Sequence, residues 1–156
     1  MIEVDIPGFG RLQLENLVLD YNGTMALHGE PIAEVRERLQ SLAANLSIHV
    51  ITADNFGTVR ERLAGYPCAI EVLARGGEDL AKLRFVERLG AEGVACIGNG
   101  RNDRRMLEAA ALGIVVVGAE GAAVESLRSA KVAVASINDG LELLLNPLRL
   151  IATLRS

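Results

Sequence analysis

The stretch Leu17-Val18-Leu19-Asp20-Tyr21-Asn22-Gly23-Thr24 joins an apolar run to an aspartate and then to a turn. The apolar residues before Asp20 predict a buried strand, and Asn22-Gly23 is among the strongest turn signals. Asp20 is therefore expected at the carboxyl end of a strand, where open α/β sheets bind their ligands. A carboxylate there can attack phosphorus covalently if a cation shields it from the phosphate. An aspartate that caps a helix or stabilises a turn is the alternative interpretation.

The composition favours one α/β domain with an aliphatic core. Of the 156 residues, 50% are hydrophobic but only 3% are aromatic. We therefore expect residues 1–156 to form a single domain built on Leu, Val, Ile and Ala. The net charge is −4 and there is no basic run, which argues against nucleic-acid binding through phosphate neutralisation.

Two further features of the chain concern its location. No apolar run reaches the length that crosses a membrane. The first residues, Met1-Ile2-Glu3-Val4-Asp5, lack the basic and apolar segments of a signal peptide. We therefore expect a cytoplasmic protein that does not associate with a membrane.

The cysteines and histidines predict neither a disulfide nor a metal site. Cys68 and Cys96 lie in apolar runs without metal-ligand spacing, so buried free thiols are favoured over a disulfide. His28 and His49 are far apart in the sequence, and His49 falls in the middle of a predicted strand. A histidine-based metal or nucleophile site is therefore not expected.

Hydrophobic periodicity alternates between strand and helix along the chain. Residues Ile2 to Leu14 predict a hairpin that turns at Pro7-Gly8-Phe9-Gly10. Pro31 is expected to open a helix, because proline is favoured in the first turn. The predicted strands are Leu17 to Asp20, Ser47 to Thr52, Cys68 to Leu73, Val94 to Ile97, Ile114 to Val117 and Val132 to Val134. The predicted helices are Pro31 to Leu46, Thr58 to Leu63, Glu78 to Leu89, Asp103 to Leu112, Ala122 to Arg128 and Asp139 to Leu145. This order predicts a doubly wound, mostly parallel, Rossmann-like sheet with helices on both faces.

A second stretch of interest, Thr52-Ala53-Asp54, follows the strand Ser47 to Thr52. Thr52 is thus expected at the same edge of the sheet as Asp20. A hydroxyl there, with the free N–H groups of the next turn, can bind a phosphate oxygen. The alternative, which the pattern alone favours, is a strand-ending threonine with Asp54 as the N-cap of the next helix.

The third feature is Lys82, which falls early in an amphipathic helix. Asp79, three residues earlier, lies on a neighbouring face of that helix. A lysine near the sheet edge can neutralise both a nucleophilic carboxylate and a bound phosphate. An ordinary solvated lysine is the default interpretation, and spacing alone favours it.

The fourth stretch, Cys96-Ile97-Gly98-Asn99-Gly100-Arg101-Asn102-Asp103, runs from a buried strand into a helix. Gly98 and Gly100 permit a tight turn and close backbone approach to a ligand. Asp103, at a helix N-terminus, gains from the helix dipole and could face a cation. A connecting loop with Asn102 as N-cap explains the polar residues but not both glycines.

Together the four stretches resemble the haloacid-dehalogenase-like (HAD) superfamily of phosphotransferases over nearly the whole chain after Asn16. Within it, Asp20–Thr24, Thr52–Asp54 and Gly98–Asp103 are most similar to soluble proteins related to the catalytic domain of P-type ATPases. The resemblance implies a phosphorylated substrate, a Mg²⁺ cofactor and an aspartyl-phosphate on Asp20, with Lys82 as a second catalytic residue. It implies phosphate binding by Gly23, Thr24, Thr52, Ala53 and Lys82, and Mg²⁺ binding by Asp20, Asn22, Asn99 and Asp103.

Two positions depart from the family pattern. Asn22 stands where hydrolytic members carry a second aspartate that protonates the leaving group, and a carboxamide cannot do this. Asn99 stands where a metal-binding aspartate is usual, and its amide oxygen brings no negative charge to Mg²⁺. We therefore expect weak Mg²⁺ binding and slow turnover of unactivated alkyl phosphates.

The spacing of the motifs leaves no room for a cap domain over the site. Between Asp20 and Thr52 we expect only one turn, one helix and one strand, so the site is capless. A bare site implies a macromolecular substrate or a neighbouring subunit as lid. The apolar tail could form a homo-oligomer interface or pack in the core; its residues are Leu143, Leu144, Leu145, Leu148, Leu150, Ile151 and Leu154.

Three functions follow from these observations. The first is a Mg²⁺-dependent phosphatase or phosphotransferase that uses Asp20. The second, suggested by Asn22 and Asn99, is a non-hydrolytic domain that binds phosphate or accepts it at Asp20 and acts in regulation. The third is a structural or oligomeric α/β protein with a decayed site. The stretch Gly118 to Ala123 lacks the spacing of a dinucleotide-binding motif and predicts only a tight connection between strand and helix.

Overall fold

The computed structural model describes residues 1–53 and 57–156. Its strands are β1 (Ile2–Ile6), β2 (Gly10–Leu14), β3 (Asn16–Asp20), β4 (Ala26–Leu27), β5 (Glu30–Pro31), β6 (Ser47–Thr52), β7 (Ala69–Val72), β8 (Val94–Gly98), β9 (Leu112–Val116) and β10 (Val132–Val134). Its helices are α1 (Val35–Leu42), α2 (Thr58–Arg62), α3 (Glu78–Leu89), α4 (Arg104–Ala109), α5 (Val124–Ser129), α6 (Ile137–Leu145) and α7 (Pro147–Leu154). Short 3₁₀ turns occupy Ala91–Gly93 and Arg101–Asp103.

Strand β3 lies inside a six-stranded sheet with the order β10-β9-β8-β3-β6-β7. All neighbouring strands in this sheet pair in parallel. Asp20 pairs with Ile51 of β6, and Leu19 pairs with Ile97 of β8. The chain leaves β3 on one side and returns on the other, so the winding reverses at this strand. The predicted doubly wound α/β architecture is confirmed.

The apolar run of β3 is buried on both faces of the sheet. Leu17 and Leu19 belong to the core that contains residues of α1 and α6. Val18 belongs to the opposite core, with residues of α3 and α4. None of the three side chains is exposed. A strand covered by helices on both sides has no polar face, which explains its continuous hydrophobic sequence.

The N-terminal hairpin and the C-terminal tail pack together. Strands β1 and β2 form the predicted hairpin as a separate two-stranded sheet, and they pair antiparallel with Ile2 opposite Leu14. Helix α7 contacts β1, and its Leu150 is buried in the core. Of the tail, Leu143 and Leu144 are also buried, whereas Leu148 is 80% exposed. Core packing thus accounts for most of the apolar tail.

The prediction that Pro31 opens a helix is wrong. Pro31 lies in β5, which forms a two-residue hairpin with β4, and helix α1 begins only at Val35. The N–H of Ile32 donates to the carbonyl of Met25 at 3.0 Å and holds the chain in this hairpin. Glu34 then adopts a left-handed backbone with φ 67°, which no α-helix can include. This tertiary bond outweighs the helical preference of the proline.

Other element bounds differ by a few residues from the predicted ones. The helix expected from Asp103 to Leu112 ends at Ala109, because Ala110 is extended and Leu112 already pairs in β9. Helix α6 begins earlier than predicted, at Ile137, where the Ser136 hydroxyl accepts a hydrogen bond from the Asp139 N–H at 3.1 Å. Between Asp20 and Thr52 the hairpin β4–β5 is added to the predicted turn, helix and strand.

Two expectations about the whole chain can be compared with the described residues. Cys68 is half-buried and Cys96 is buried, and both are free thiols. Among the helices of residues 1–53 and 57–156, none combines the length and the apolar character needed to cross a bilayer.

Candidate active site

A cavity of about 380 Å³ opens at the carboxyl edge of the main sheet. Its lining residues are Asp20, Asn22, Thr52, Ala53, Glu78, Lys82, Asn99, Gly100, Asn102 and Glu120. Asp20 ends β3, Thr52 ends β6 and Asn99 follows β8. Because these three strands are parallel neighbours, their carboxyl ends meet at one edge. The fold therefore brings six of the predicted site residues together: Asp20, Asn22, Thr52, Ala53, Lys82 and Asn99.

Lys82 lies between two carboxylates. Its Nζ is 2.8 Å from Asp20 Oδ1 and 2.6 Å from Asp103 Oδ1, and its side chain is only 3% exposed. It also donates to Asn102 Oδ1 at 3.3 Å. The interpretation of Lys82 as a solvated lysine, which spacing favoured, is wrong. Helical spacing cannot show which part of the sheet edge α3 faces, and this residue faces the end of β3.

Burial and charge shift the pKa values of this pair. Burial and the nearby charge of Asp103 raise the pKa of Asp20 to about 7, against the opposing effects of Lys82 and the Thr24 hydroxyl. Burial alone would lower the pKa of Lys82, but the two carboxylates outweigh it and the pKa is raised. Lys82 is therefore charged at neutral pH, whereas Asp20 exchanges its proton near neutrality.

Asp103 is buried beneath the cavity and does not line it. Its Oδ1 accepts from Lys82, and its Oδ2 accepts from the backbone N–H groups of Asn99 and Gly100, both at 2.9 Å. A Cβ on Gly98 would lie 2.6 Å from Asp103 Cγ. Gly98, expected to let a ligand approach, instead makes room for this side chain. The geometry favours Asp103 as an anchor for Lys82 and the Asn99 loop over a role in metal ligation.

Two oxygens in the cavity share one hydrogen-bond donor. The Thr24 hydroxyl lies 3.1 Å from Asp20 Oδ2 and 3.2 Å from Asn99 Oδ1. Asn99 Nδ2 donates to the Gly121 carbonyl at 3.2 Å, which determines the orientation of the amide. Since a hydroxyl has one hydrogen, only one of the two oxygens can accept it. Adjacent oxygens with too few donors suit a hard cation.

The oxygen donors in the cavity are of the chemical type that binds Mg²⁺, but together they carry little negative charge. Asp20, the amide oxygen of Asn99 and the backbone carbonyl of Asn22 could supply oxygen ligands, the type that Mg²⁺ prefers. Within the part of the chain that the structure describes, no group of three or more His, Cys, Asp or Glu side chains is placed to hold a metal. Asp20 would therefore be the one anionic ligand in this set.

Gly23 and Thr24, predicted to bind phosphate, do not line the cavity. The N–H of Gly23 donates to the Ala26 carbonyl at 2.8 Å, and that of Thr24 to the Tyr21 carbonyl at 3.4 Å. These amides are used inside the loop, which argues against phosphate binding by them. Gly23 has φ 78°, and the space of a Cβ there is filled by the Glu120 carboxylate and by Asn99 Nδ2, 2.9 Å away.

Three polar residues that line the cavity were not predicted as site residues: Glu78, Asn102 and Glu120. Asn102 was considered only as an N-cap, but its Nδ2 donates to Glu78 Oε2 at 3.5 Å and its Oδ1 accepts from Lys82. The connection Gly118 to Ala123 is tight, as predicted, with the Gly121 N–H bonded to the Gly118 carbonyl at 2.9 Å. It also brings Glu120 to the cavity. The position of Glu120, a charged residue in a turn directly after a parallel strand, was the signal from which it could have been predicted to line the cavity.

The alternative role of Asp54 as a helix N-cap lies outside the described residues. In the structure the N-cap position of α2 is Gly57, with φ 75°. Thr52 is buried at the end of β6, and Ala53 is partly exposed. Both line the cavity that contains Asp20, and their contact with a phosphate stays a prediction.

The chain has a relative of similar sequence among known proteins. No family model matches the sequence. The chain is 46% identical over 84 residues to the uncharacterized protein MJ0073 of Methanocaldococcus jannaschii, an alignment that covers 51% of this chain and 90% of MJ0073.

Solved structures with the same fold include two phosphatases. The cobalt-bound deoxy-D-mannose-octulosonate 8-phosphate phosphatase of Haemophilus influenzae has a TM-score of 0.71 at 15% identity, covering 85% of this chain and 88% of that one. The Moraxella catarrhalis 3-deoxy-D-manno-octulosonate 8-phosphate phosphatase, in complex with magnesium, phosphate and KDO, has a TM-score of 0.69 at 16% identity, covering 90% and 92%.

A third similar structure is the catalytic domain of an ATPase. The catalytic domain of the CPx-ATPase CopB-B has a TM-score of 0.60 at 24% identity, covering 74% of this chain and 46% of that one. A putative HAD superfamily hydrolase of Legionella pneumophila also has this fold, with a TM-score of 0.71 at 16% identity, covering 90% of this chain and 86% of that one. The chain therefore belongs to the same family as MJ0073, and it shares the fold of these HAD-like structures.

Proposed function

We propose that this protein is a divalent-cation-dependent phosphatase or phosphotransferase that forms an aspartyl-phosphate on Asp20, with the site carried by a single domain. The observation that supports this most is the position of Asp20 at the end of the central strand, facing a cavity and paired with the buried Lys82. A nucleophile on a rigid strand next to a fixed positive charge is an arrangement suited to phosphoryl transfer.

In the first step an Asp20 oxygen attacks phosphorus. A bond forms between that oxygen and phosphorus, and the bond to the leaving oxygen breaks with its electron pair on the departing group. Lys82 neutralises negative charge on both the nucleophile and the phosphoryl group, and Asp103 holds Lys82 in place. Thr52 and Ala53 contact the transferred phosphoryl group. Asp20, Asn99 and the Asn22 carbonyl would hold a Mg²⁺ ion, which would supply neutralisation of the negative charge on the reacting groups.

In the second step water attacks the phosphorus of the aspartyl-phosphate. A bond forms between the water oxygen and phosphorus, the bond from phosphorus to the Asp20 oxygen breaks with its electron pair on Asp20, and inorganic phosphate leaves, with the proton of the water passing to solvent. Asn22, which lines the cavity, can neither protonate a leaving group nor activate water. General acid–base catalysis is typically worth about 10²–10⁴ in rate, so both steps lack that contribution. Aryl and acyl phosphates, whose leaving groups need no proton, are the substrates least affected.

The names of the structural neighbours agree with a phosphorylated substrate and a divalent metal. Two are phosphatases of an octulosonate 8-phosphate, one bound to cobalt and the other to magnesium and phosphate. At 15% and 16% identity their shared fold supports the reaction class and not the sugar.

The direct test is turnover of p-nitrophenyl phosphate and acetyl phosphate with and without Mg²⁺. Wild type should show Mg²⁺-dependent release of phosphate, and Asp20→Asn should lose at least about 10³-fold in rate because the nucleophile is gone. Glu15→Gln, an exposed carboxylate before β3 at the opposite end of the sheet, serves as the matched control and should retain full activity. Equal rates in wild type and Asp20→Asn would refute the proposal.

A phospho-acceptor domain that does not turn over is the second candidate, because Asn22 and Asn99 replace two acids that hydrolysis uses. Beryllium fluoride with Mg²⁺ mimics an acyl phosphate and should raise the melting temperature under either function. Stabilisation without measurable turnover would favour the phospho-acceptor.

A further inference from the structure

Asn99 holds in place the loop that carries Glu120. Its side-chain Nδ2 donates to the Gly121 carbonyl at 3.2 Å, and its backbone carbonyl accepts from the Ala123 N–H at 2.9 Å. The turn between them is closed by the bond from the Gly121 N–H to the Gly118 carbonyl. The residue that contributes an uncharged oxygen to the cavity therefore also determines where Glu120 lies.

The Glu120 carboxylate extends over Gly23 toward Asn99. It fills the place that a Cβ on Gly23 would take, and Asn99 Nδ2 and Oδ1 lie 2.9 and 3.1 Å from the same point. Glu120 lines the cavity together with Asp20 and Asn99. The ion pairs formed by residues 1–53 and 57–156 do not include Glu120, so no described cation neutralises it.

We propose that Glu120 supplies the second negative charge of the cation site, replacing the charge that Asn99 does not carry. This inference rests on the proposed function. Asp20 Oδ2 and Asn99 Oδ1 share the single hydrogen of the Thr24 hydroxyl, so one of these two neighbouring oxygens lacks that donor. Mg²⁺ gives up its waters reluctantly and keeps several of them when bound. A carboxylate at the mouth of the cavity accepts hydrogen bonds from such waters and attracts the ion.

The test measures binding of Mn²⁺ alone, from the paramagnetic resonance signal of the free ion, to wild type and three variants. Glu120→Gln should weaken Mn²⁺ binding about tenfold or more, the range usual for groups that orient metal ligands from outside the coordination shell. Glu125→Gln is the matched control: it removes the same charge five residues away, where the carboxylate pairs with Arg101 at 3.1 Å. It should change the affinity less than twofold. Asp20→Asn removes the anionic ligand and should weaken binding most.

The outcomes separate this inference from the proposed function. If Asp20→Asn weakens Mn²⁺ binding and Glu120→Gln leaves it unchanged, the role of Glu120 is overturned while the Asp20 site stands. If Glu120→Gln and Glu125→Gln weaken binding equally, the effect is general electrostatics and the role of Glu120 is again overturned. If wild type and Asp20→Asn bind Mn²⁺ equally, or neither binds it, the cation site itself is refuted. Melting of the metal-free variants verifies that each is folded.

Discussion

Two cavities of nearly equal volume lie at opposite ends of the main sheet. The cavity at the carboxyl end measures about 380 Å³ and contains Asp20 and Lys82. The cavity at the amino end measures about 370 Å³ and is lined by Met1, Gln13, Glu15, Leu89, Gly90, Glu92 and Gly93. Size therefore does not distinguish them.

The difference between the two cavities is the burial of charge. At the amino end, Glu15 and Glu92 are exposed to solvent. At the carboxyl end Asp20, Lys82 and Asp103 are all buried and joined by ion pairs. Withdrawing an ion from water costs several kcal/mol even in a real protein. Buried, paired and pKa-shifted groups that face a cavity are typical of functional sites. Among the residues that the structure describes, the carboxyl-end cavity has such groups in Asp20 and Lys82, and the lining of the amino-end cavity has none.

The largest expected effect on stability comes from removing Lys82. Lys82→Ala leaves Asp20 and Asp103 buried without their cation, which should lower the free energy of unfolding by about 3–5 kcal/mol. Glu92→Gln at the amino-end cavity should change it by less than about 0.5 kcal/mol, as expected for an exposed surface residue. Urea denaturation at pH 8 measures both. A loss below about 1 kcal/mol for Lys82→Ala would show that the ion pairs are not what distinguishes the carboxyl end.

A glycine near each cavity, Gly23 next to the lining residues Asn99 and Glu120 and Gly93 in the lining of the other, provides the next comparison. Gly23→Ala forces a side chain into a left-handed backbone and onto Asn99 and Glu120, at a cost of about 2–4 kcal/mol from backbone strain and overpacking together. Gly93→Ala meets only the Gln13 carbonyl at 3.8 Å, an ordinary contact. Thermal unfolding should therefore show a large decrease in melting temperature for Gly23→Ala and a small change for Gly93→Ala. Similar decreases for both would contradict the tight packing at Gly23.

The raised pKa of Asp20 predicts how activity depends on pH. Asp20 must be ionised to attack phosphorus, and burial and Asp103 raise its pKa to about 7. At low Mg²⁺ the kcat/KM for an aryl phosphate should therefore fall about tenfold per pH unit as the pH decreases below about 7. Saturating Mg²⁺ stabilises the ionised form of Asp20, so it should move this decrease in kcat/KM to lower pH. Rates measured from pH 5.5 to 8.5 at both Mg²⁺ concentrations test this, and a flat profile would contradict it.

The smallest expected effect concerns Asn99. Asn99→Asp adds a charged ligand and should tighten Mg²⁺ binding about tenfold, since Mg²⁺ prefers charged oxygen ligands. It also removes the hydrogen bond to the Gly121 carbonyl, which should destabilise the metal-free protein by about 1 kcal/mol. Gln13→Glu adds the same charge at the amino-end cavity and should leave Mg²⁺ affinity unchanged. Calorimetric titration with Mg²⁺ measures the affinities of wild type and both variants. Equal affinities in wild type and Asn99→Asp would argue against Asn99 as a ligand.

Much of the fold could be predicted because a continuous run of apolar residues indicates a buried strand. Leu17, Val18 and Leu19 form an unbroken apolar run since the sheet is covered on both faces, and the turn after Asp20 has its own signal. The helix start at Pro31 could not be predicted correctly. The hydrogen bond from Ile32 to Met25 that forms the hairpin joins residues whose partnership no local pattern reveals.

The candidate site also has features that the sequence could predict and features that it could not. That Asp20, Thr52 and Asn99 share one edge follows from parallel strand order, so sequence reasoning could reach it. The burial of Lys82 depends on how α3 rotates against the sheet, and the approach of Glu120 depends on two loops that pack across Gly23. Both are properties of packing between distant segments, and a periodic pattern carries no information about them.

The inner location of β3 has a consequence for how relatives of this chain can diverge. The outermost strands β7 and β10 are two and three places away from β3, or roughly 10 and 14 Å at the usual strand spacing. Insertions, deletions or new contact surfaces at these rims would reshape the outline of the molecule without displacing Asp20, Lys82 or Asp103. Descendants of one ancestor can thus acquire different outer architectures around an unchanged centre.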